Sequence, residues 1–129
     1  MSEKQASVLL SQRLQQLSNL PPVAWQNGPT FEPPLGESWL AEYDMSAGTD
    51  ELSLSLSGSR KKDGIYQINV YTPAGQGRYK SYDFTDPLTE LYRAYKQGGL
   101  VITDCSRGKE RNEGNFFKTV FEVYYTYIW

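Results

Sequence analysis

The sequence of 129 residues contains no histidine and one cysteine, Cys105. Without imidazole there is no Ser/His/Asp triad, no Cys/His dyad, no histidine metal ligand and no His-based proton transfer. A lone cysteine excludes an intrachain disulfide and a Cys-x-x-Cys zinc site. Carboxylates, lysine and tyrosine still permit catalysis, but the composition favours binding or structure, with no cofactor and no metal. No apolar run is long enough to span a bilayer, the Met-Ser-Glu-Lys-Gln start lacks a signal-peptide core, and no Asn-x-Ser/Thr sequon occurs. A soluble intracellular protein without membrane association is expected. Basic charge is also in short supply: 13 Lys and Arg against 15 Asp and Glu leave a net charge of −2. That sign is wrong for a nucleic-acid footprint.

What is present is enough for one domain spanning residues 1–129 with a real core. Aromatics are abundant, with 3 Trp, 10 Tyr and 5 Phe. Tyrosine supplies stiff contact area with one polar end, which suits core edges and interfaces alike. Charge is unevenly placed. No Lys or Arg occurs between Leu14 and Ser59, where Glu32, Glu37, Glu42, Asp44, Asp50 and Glu51 fall, and then Arg60-Lys61-Lys62 arrives as a block. A solvated surface with a basic turn accounts for this; complementary patches used in subunit contact are the sharper alternative.

Ala6, Leu10, Leu14 and Leu17 recur at helical spacing and predict an amphipathic helix over Ser2–Leu20. Ser2 with Gln5 forms a capping box, and Pro21-Pro22 stops the run. Short strands follow at Val23–Gln26 and Ser38–Asp44, separated by the irregular Phe31–Gly36 stretch. Leu52, Leu54 and Leu56 alternate with serines as a half-wet strand, expected to pair with Ile65–Tyr71 as a long hairpin with the basic block near its tip. Arg78–Lys96 reads as a helix ended by Gly98-Gly99, with Pro87 either kinking it or sitting at the first position of a restart capped by Asp86. Leu100–Asp104 is a strand, Ser106–Asn115 a charged hairpin loop, and Phe116–Trp129 a last strand apolar on both faces. Helices could cover one face and a neighbouring subunit the other. The fold class is α+β, a mixed or antiparallel sheet on two helices with an extended hairpin.

Chemical motifs are thin. Gly75-x-Gly77 between a strand and a helix has the setting of a phosphate loop, but Lys80 stands where a third glycine belongs, and a flexible turn explains it better. Asp83 and Asp86 could share a hard cation; a solvated helix face is the plainer account. Cys105 has no histidine to activate it and reads as a half-buried small residue.

The order of segments resembles the tail terminator-like proteins of long-tailed bacteriophages of the lambda type. The resemblance rests on the N-terminal helix, Val23-Ala24-Trp25-Gln26-Asn27, Phe31-Glu-Pro-Pro-Leu-Gly36 and above all Gly64-Ile-Tyr-Gln-Ile-Asn-Val-Tyr71 running into Pro73-Ala-Gly-Gln-Gly77. It implies a sheet packed on two helices and a homohexameric ring on the last ring of the tail tube. That ring would stop polymerisation of the major tail tube protein and present a surface to head-completion or connector proteins, with DNA passing through the lumen unbound. Heterologous ring contacts would then use Glu42 and Asp44 of the acidic stretch, the Arg60, Lys61 and Lys62 block, and the terminal aromatics Tyr125, Tyr127 and Trp129. Other classes remain open: another neck component, a small monomeric binding module with a pocket, or a carboxylate- or lysine-based enzyme.

Overall fold

The structure, a computed structural model, describes residues 1–51 and 60–128. Helix α1 spans Glu3–Gln15, and the Ser2 hydroxyl accepts from Gln5 N–H while the Gln5 side chain accepts from Ser2 N–H. The helix ends five residues before the expected Leu20, yet Leu17 still reaches the core from the turn beyond it. Six strands follow as one mixed sheet: β1 (Val23–Ala24), β2 (Trp39–Glu51), β3 (Arg60–Pro73), β4 (Lys96–Gln97), β5 (Leu100–Glu113) and β6 (Phe116–Ile128). Among the described residues the order across the sheet is β1-β2-β3-β6-β5-β4, with β1 and β2 parallel and the other neighbours antiparallel.

Three strand expectations need correction. The hairpin joins β2 to β3, so Ile65–Tyr71 pairs with Trp39–Met45 rather than with the leucine–serine run. Leu52, Leu54 and Leu56 themselves lie outside the described residues. The basic block is strand, not turn: the register places Arg60 opposite Glu51 and Lys61 opposite Asp50. Ser106–Glu113 is strand as well, because β5 continues to a turn at Gly114-Asn115. Its bulges at Ile102/Asp104 and Arg107/Glu110 break the period-2 signal, and beyond Val101, where β4 no longer pairs with it, it is wet over most of its length.

The second helical region opens with a 3-10 turn, Arg78–Ser81, and continues as α2 (Tyr82–Tyr92) straight through Pro87. It does not restart at Asp86. Pro87 and Asp83 are both exposed, so the Asp83 carbonyl, which proline leaves without its usual donor, sits on the wet side of the helix. The helix stops at Tyr92 instead of Lys96. Ala94 takes a positive φ of 58°, which turns the chain so that the Tyr95 carbonyl accepts from Ile102 N–H at 2.9 Å. Gly98 (φ 59°) then closes a tight β4–β5 turn, a hairpin signal rather than a helix stop.

One face of the sheet carries the core. Leu40, Tyr66, Ile68, Val70, Leu100, Ile102, Phe121, Val123, Tyr125 and Tyr127 pack with Ala6, Leu10 and Leu14 of α1 and Leu88 and Tyr92 of α2. The last strand is thus central, between β3 and β5, with its edges paired. Among the described residues no helix is long and apolar enough to cross a membrane.

Candidate functional site

Glu42 stands on the core face of β2 at 7% exposure. Its carboxylate accepts from Ser11 Oγ (2.8 Å), from Gln26 N–H (3.3 Å) and from the Tyr66 hydroxyl. Tyr66 neighbours Tyr92, whose hydroxyl donates to the Leu10 carbonyl at 2.8 Å. Burial above all pushes both phenols up from their ordinary value, so they remain proton donors at neutral pH. A carboxylate this deep must be satisfied by hydrogen bonds. Here its donors come from α1, from the segment after β1 and from β3, and the cluster ties those three elements together.

Tyr125 donates to Asp44 Oδ1 at 2.5 Å, and Asp44 N–H donates to Gln26 Oε1 at 2.7 Å. Gln26 thereby connects Asp44 to Glu42. Tyr127, 3% exposed, stacks along Tyr125 with centroids 6.3 Å apart. Of the residues that the sequence singles out for subunit contact, Glu42, Tyr125 and Tyr127 are therefore spent inside their own subunit. Lys61 and Lys62 are half-buried in β3, opposite Ile128 and Tyr127 of β6. Trp129 lies outside the described residues.

Arg107 escapes notice in the sequence because it sits in a charged run that looks like loop. Its guanidinium lies 3.8 Å from the Tyr82 ring centroid and donates to Thr85 Oγ1 (2.6 Å) and Ser81 Oγ (3.1 Å), with Glu110 as ion-pair partner. It clamps the start of α2 onto β5. Cys105 is partly buried opposite Val123, and burial, reinforced by Asp104, raises its thiol. Gly75 and Gly77 take positive φ in the turn ahead of Arg78. Among the described residues no group of three acidic or cysteine side chains converges on a metal position.

Among the described residues no helix packs on the second face of the sheet. At one end, Trp39 stacks on Tyr71 (3.9 Å, 5°), and Phe31 and Phe116 pack against that pair. Towards the other end Tyr43, Met45, Val101 and Ile128 are 39–48% exposed, with Ile65 and Tyr124 partly open between them. Such a surface, half apolar and open towards this end among the described residues, is suited to contact with another protein. On the helical side, a hollow of about 650 Å³ lies between α1 and the β4–β5 turn, with Val8, Leu9 and Lys4 in its lining.

The family model for phage tail terminator proteins matches residues 6–104. This chain belongs to that family. The tail terminator match begins inside α1 and ends within β5, so both helices and most of the sheet are included. One solved structure superposes on the chain with a TM-score of 0.71 at 25% identity, covering 98% of this chain and 96% of that one. No curated protein matches by sequence. A member of the tail terminator family is a phage tail-assembly protein and a component of the virion tail.

Proposed function

We infer that this protein ends the tail tube. Six copies form a ring on the last tube hexamer, with one side of the ring reproducing the tube's growing end. The opposite side lacks what the next tube ring needs, and it offers head-completion proteins their docking surface. DNA passes through the lumen without specific contacts. Family membership over residues 6–104 supports this reading. The single structural observation that carries it is the sheet face on which Tyr43, Met45, Val101 and Ile128 stay open, opposite the face that carries the core. A closed ring needs heterologous contacts, in which different patches of one surface meet.

Native mass across a series from micromolar to near-millimolar concentration, with and without assembled tail tubes, tests the proposal. A hexamer, alone or captured on tube ends, is the expected result, together with tubes that stop lengthening once it is added. Tubes that elongate unchanged in its presence would overturn it. Capture by isolated head connectors but not by tubes would place the protein elsewhere in the neck.

A further inference from the structure

We propose that the loop at residues 31–37 of one copy docks into a basic groove at the far edge of the sheet of a second copy of this chain. The contact rests on the ring reading and names two of its surfaces. Phe31 anchors the loop, with its ring 5.1 Å from Trp39. Pro33 and Pro34 then restrict the backbone and hold Leu35 outward, 80% exposed, the most open of the large hydrophobic side chains among the described residues. Glu32 and Glu37 flank it, both exposed and neither ion-paired among the described residues.

The groove is about 240 Å³, lined by Lys109, Arg111, Lys118 and Val120. Arg111 and Lys118 are cross-strand neighbours on β5 and β6. Among the described residues Glu113 is the carboxylate ion-paired with these cations, 2.9 Å from Arg111 and 4.0 Å from Lys118. The three lining cations exceed their one ion-paired carboxylate by two, and Glu32 with Glu37 supply −2. Val120 gives the groove an apolar wall for Leu35. The loop does not fill its own groove. It feeds β2, whereas the groove lies on β5 and β6, and β2 and β5 are three strand spacings apart, roughly 14 Å. Loop and groove thus lie towards opposite sides of the sheet and at the same end of the strands. That arrangement lets one copy's loop meet its neighbour's groove. Cations along an edge strand discourage strand-to-strand pairing, so side-chain docking is the mode of contact.

Charge exchange tests it. The double variants Glu32→Lys/Glu37→Lys and Lys109→Glu/Arg111→Glu are each followed by native mass across concentration, singly and as an equimolar mixture. Each alone should need about tenfold more protein to assemble, because like charges now face each other. The mixture should assemble as the native chain does, and a misfolded variant would not give that rescue. Carbodiimide cross-linking of mixed light and heavy isotope native chains should join Glu32 or Glu37 of one copy to Lys109 or Lys118 of another. Variants that assemble at native concentrations, or the absence of that cross-link, would overturn the contact. Hexamers that persist in both variants remove this contact and leave the ring reading standing. Mixtures rescued only as far as dimers uphold the contact and end the ring.

Discussion

Gly64 carries a demand that no single-residue propensity reveals. The Tyr125 ring lies directly over it, and a β-carbon there would overlap the hydroxyl and the adjoining ring carbons. The same hydroxyl makes the 2.5 Å bond to Asp44, so any displacement of the ring costs a hydrogen bond as well. Gly64→Ala should therefore destabilise the protein by about 2–3 kcal/mol, at the upper end for overpacking. Denaturant unfolding measures this, and a double-mutant cycle with Tyr125→Leu should recover part of the loss because the two sites share one space. A loss below about 0.5 kcal/mol would mean that the ring is not held against the glycine. Glu42 shows the converse at the same scale. Its charge suggested a surface role, but its position on the inner face of β2 turns it into a buried acceptor of three hydrogen bonds.

At the scale of elements, α2 is the informative case. A proline inside a helix removes one hydrogen bond and crowds the carbonyl four residues back, yet α2 continues from Tyr82 to Tyr92. Tertiary contacts hold it on both sides of Pro87. Arg107 grips Ser81 and Thr85 before it, and buried Leu88 and Tyr92 follow it. Pro87→Ala should restore a donor at an exposed site and raise stability by about 1–2 kcal/mol, less than the full proline penalty because alanine also frees the unfolded chain. Thermal or urea unfolding of this variant checks the sign, and a destabilised protein would show that the proline ring itself packs usefully. β5 makes a related point: its charged second half pairs as strand although its sequence looks like loop.

For the whole molecule, the missing histidines and the buried phenols set the response to pH. No imidazole titrates between pH 6 and pH 8, so none alters stability there. Burial raises Tyr66, Tyr92 and Tyr125, and it is the first cause of the rise of Tyr71 to about 12. Each binds its proton more tightly folded than unfolded. The stabilisation is fully present below the ordinary phenol value near pH 10 and is lost as the pH climbs above it. Each buried phenol contributes a slope of up to about 1.4 kcal/mol per pH unit there. Urea unfolding at pH 8, 10 and 11 should show a plateau followed by a steep fall, and Tyr92→Phe should make that fall shallower. A flat profile through pH 11 would contradict burial of these hydroxyls.

Local chemistry and periodicity were enough for much of this protein. The capping box of Ser2 and Gln5, the inner stripe of Ala6, Leu10 and Leu14, the β-branched and aromatic Ile65–Tyr71 strand and the doubly apolar final strand all follow from patterns within one element. The α+β class and the family resemblance followed from their order. Partner choice did not, because it depends on contacts distant in the chain. Only the sheet register sets Ile65–Tyr71 between Trp39–Met45 and the last strand, and only the stacking of helices on one face hides Glu42, Tyr125 and Tyr127 while leaving Met45 and Ile128 in the open. The role of Arg107 was equally illegible, since two bulges erase its strand period and its partners Ser81 and Thr85 lie more than twenty residues away. Periodicity tells which face of an element is apolar. What covers that face is decided by packing, which sums interactions across the whole chain.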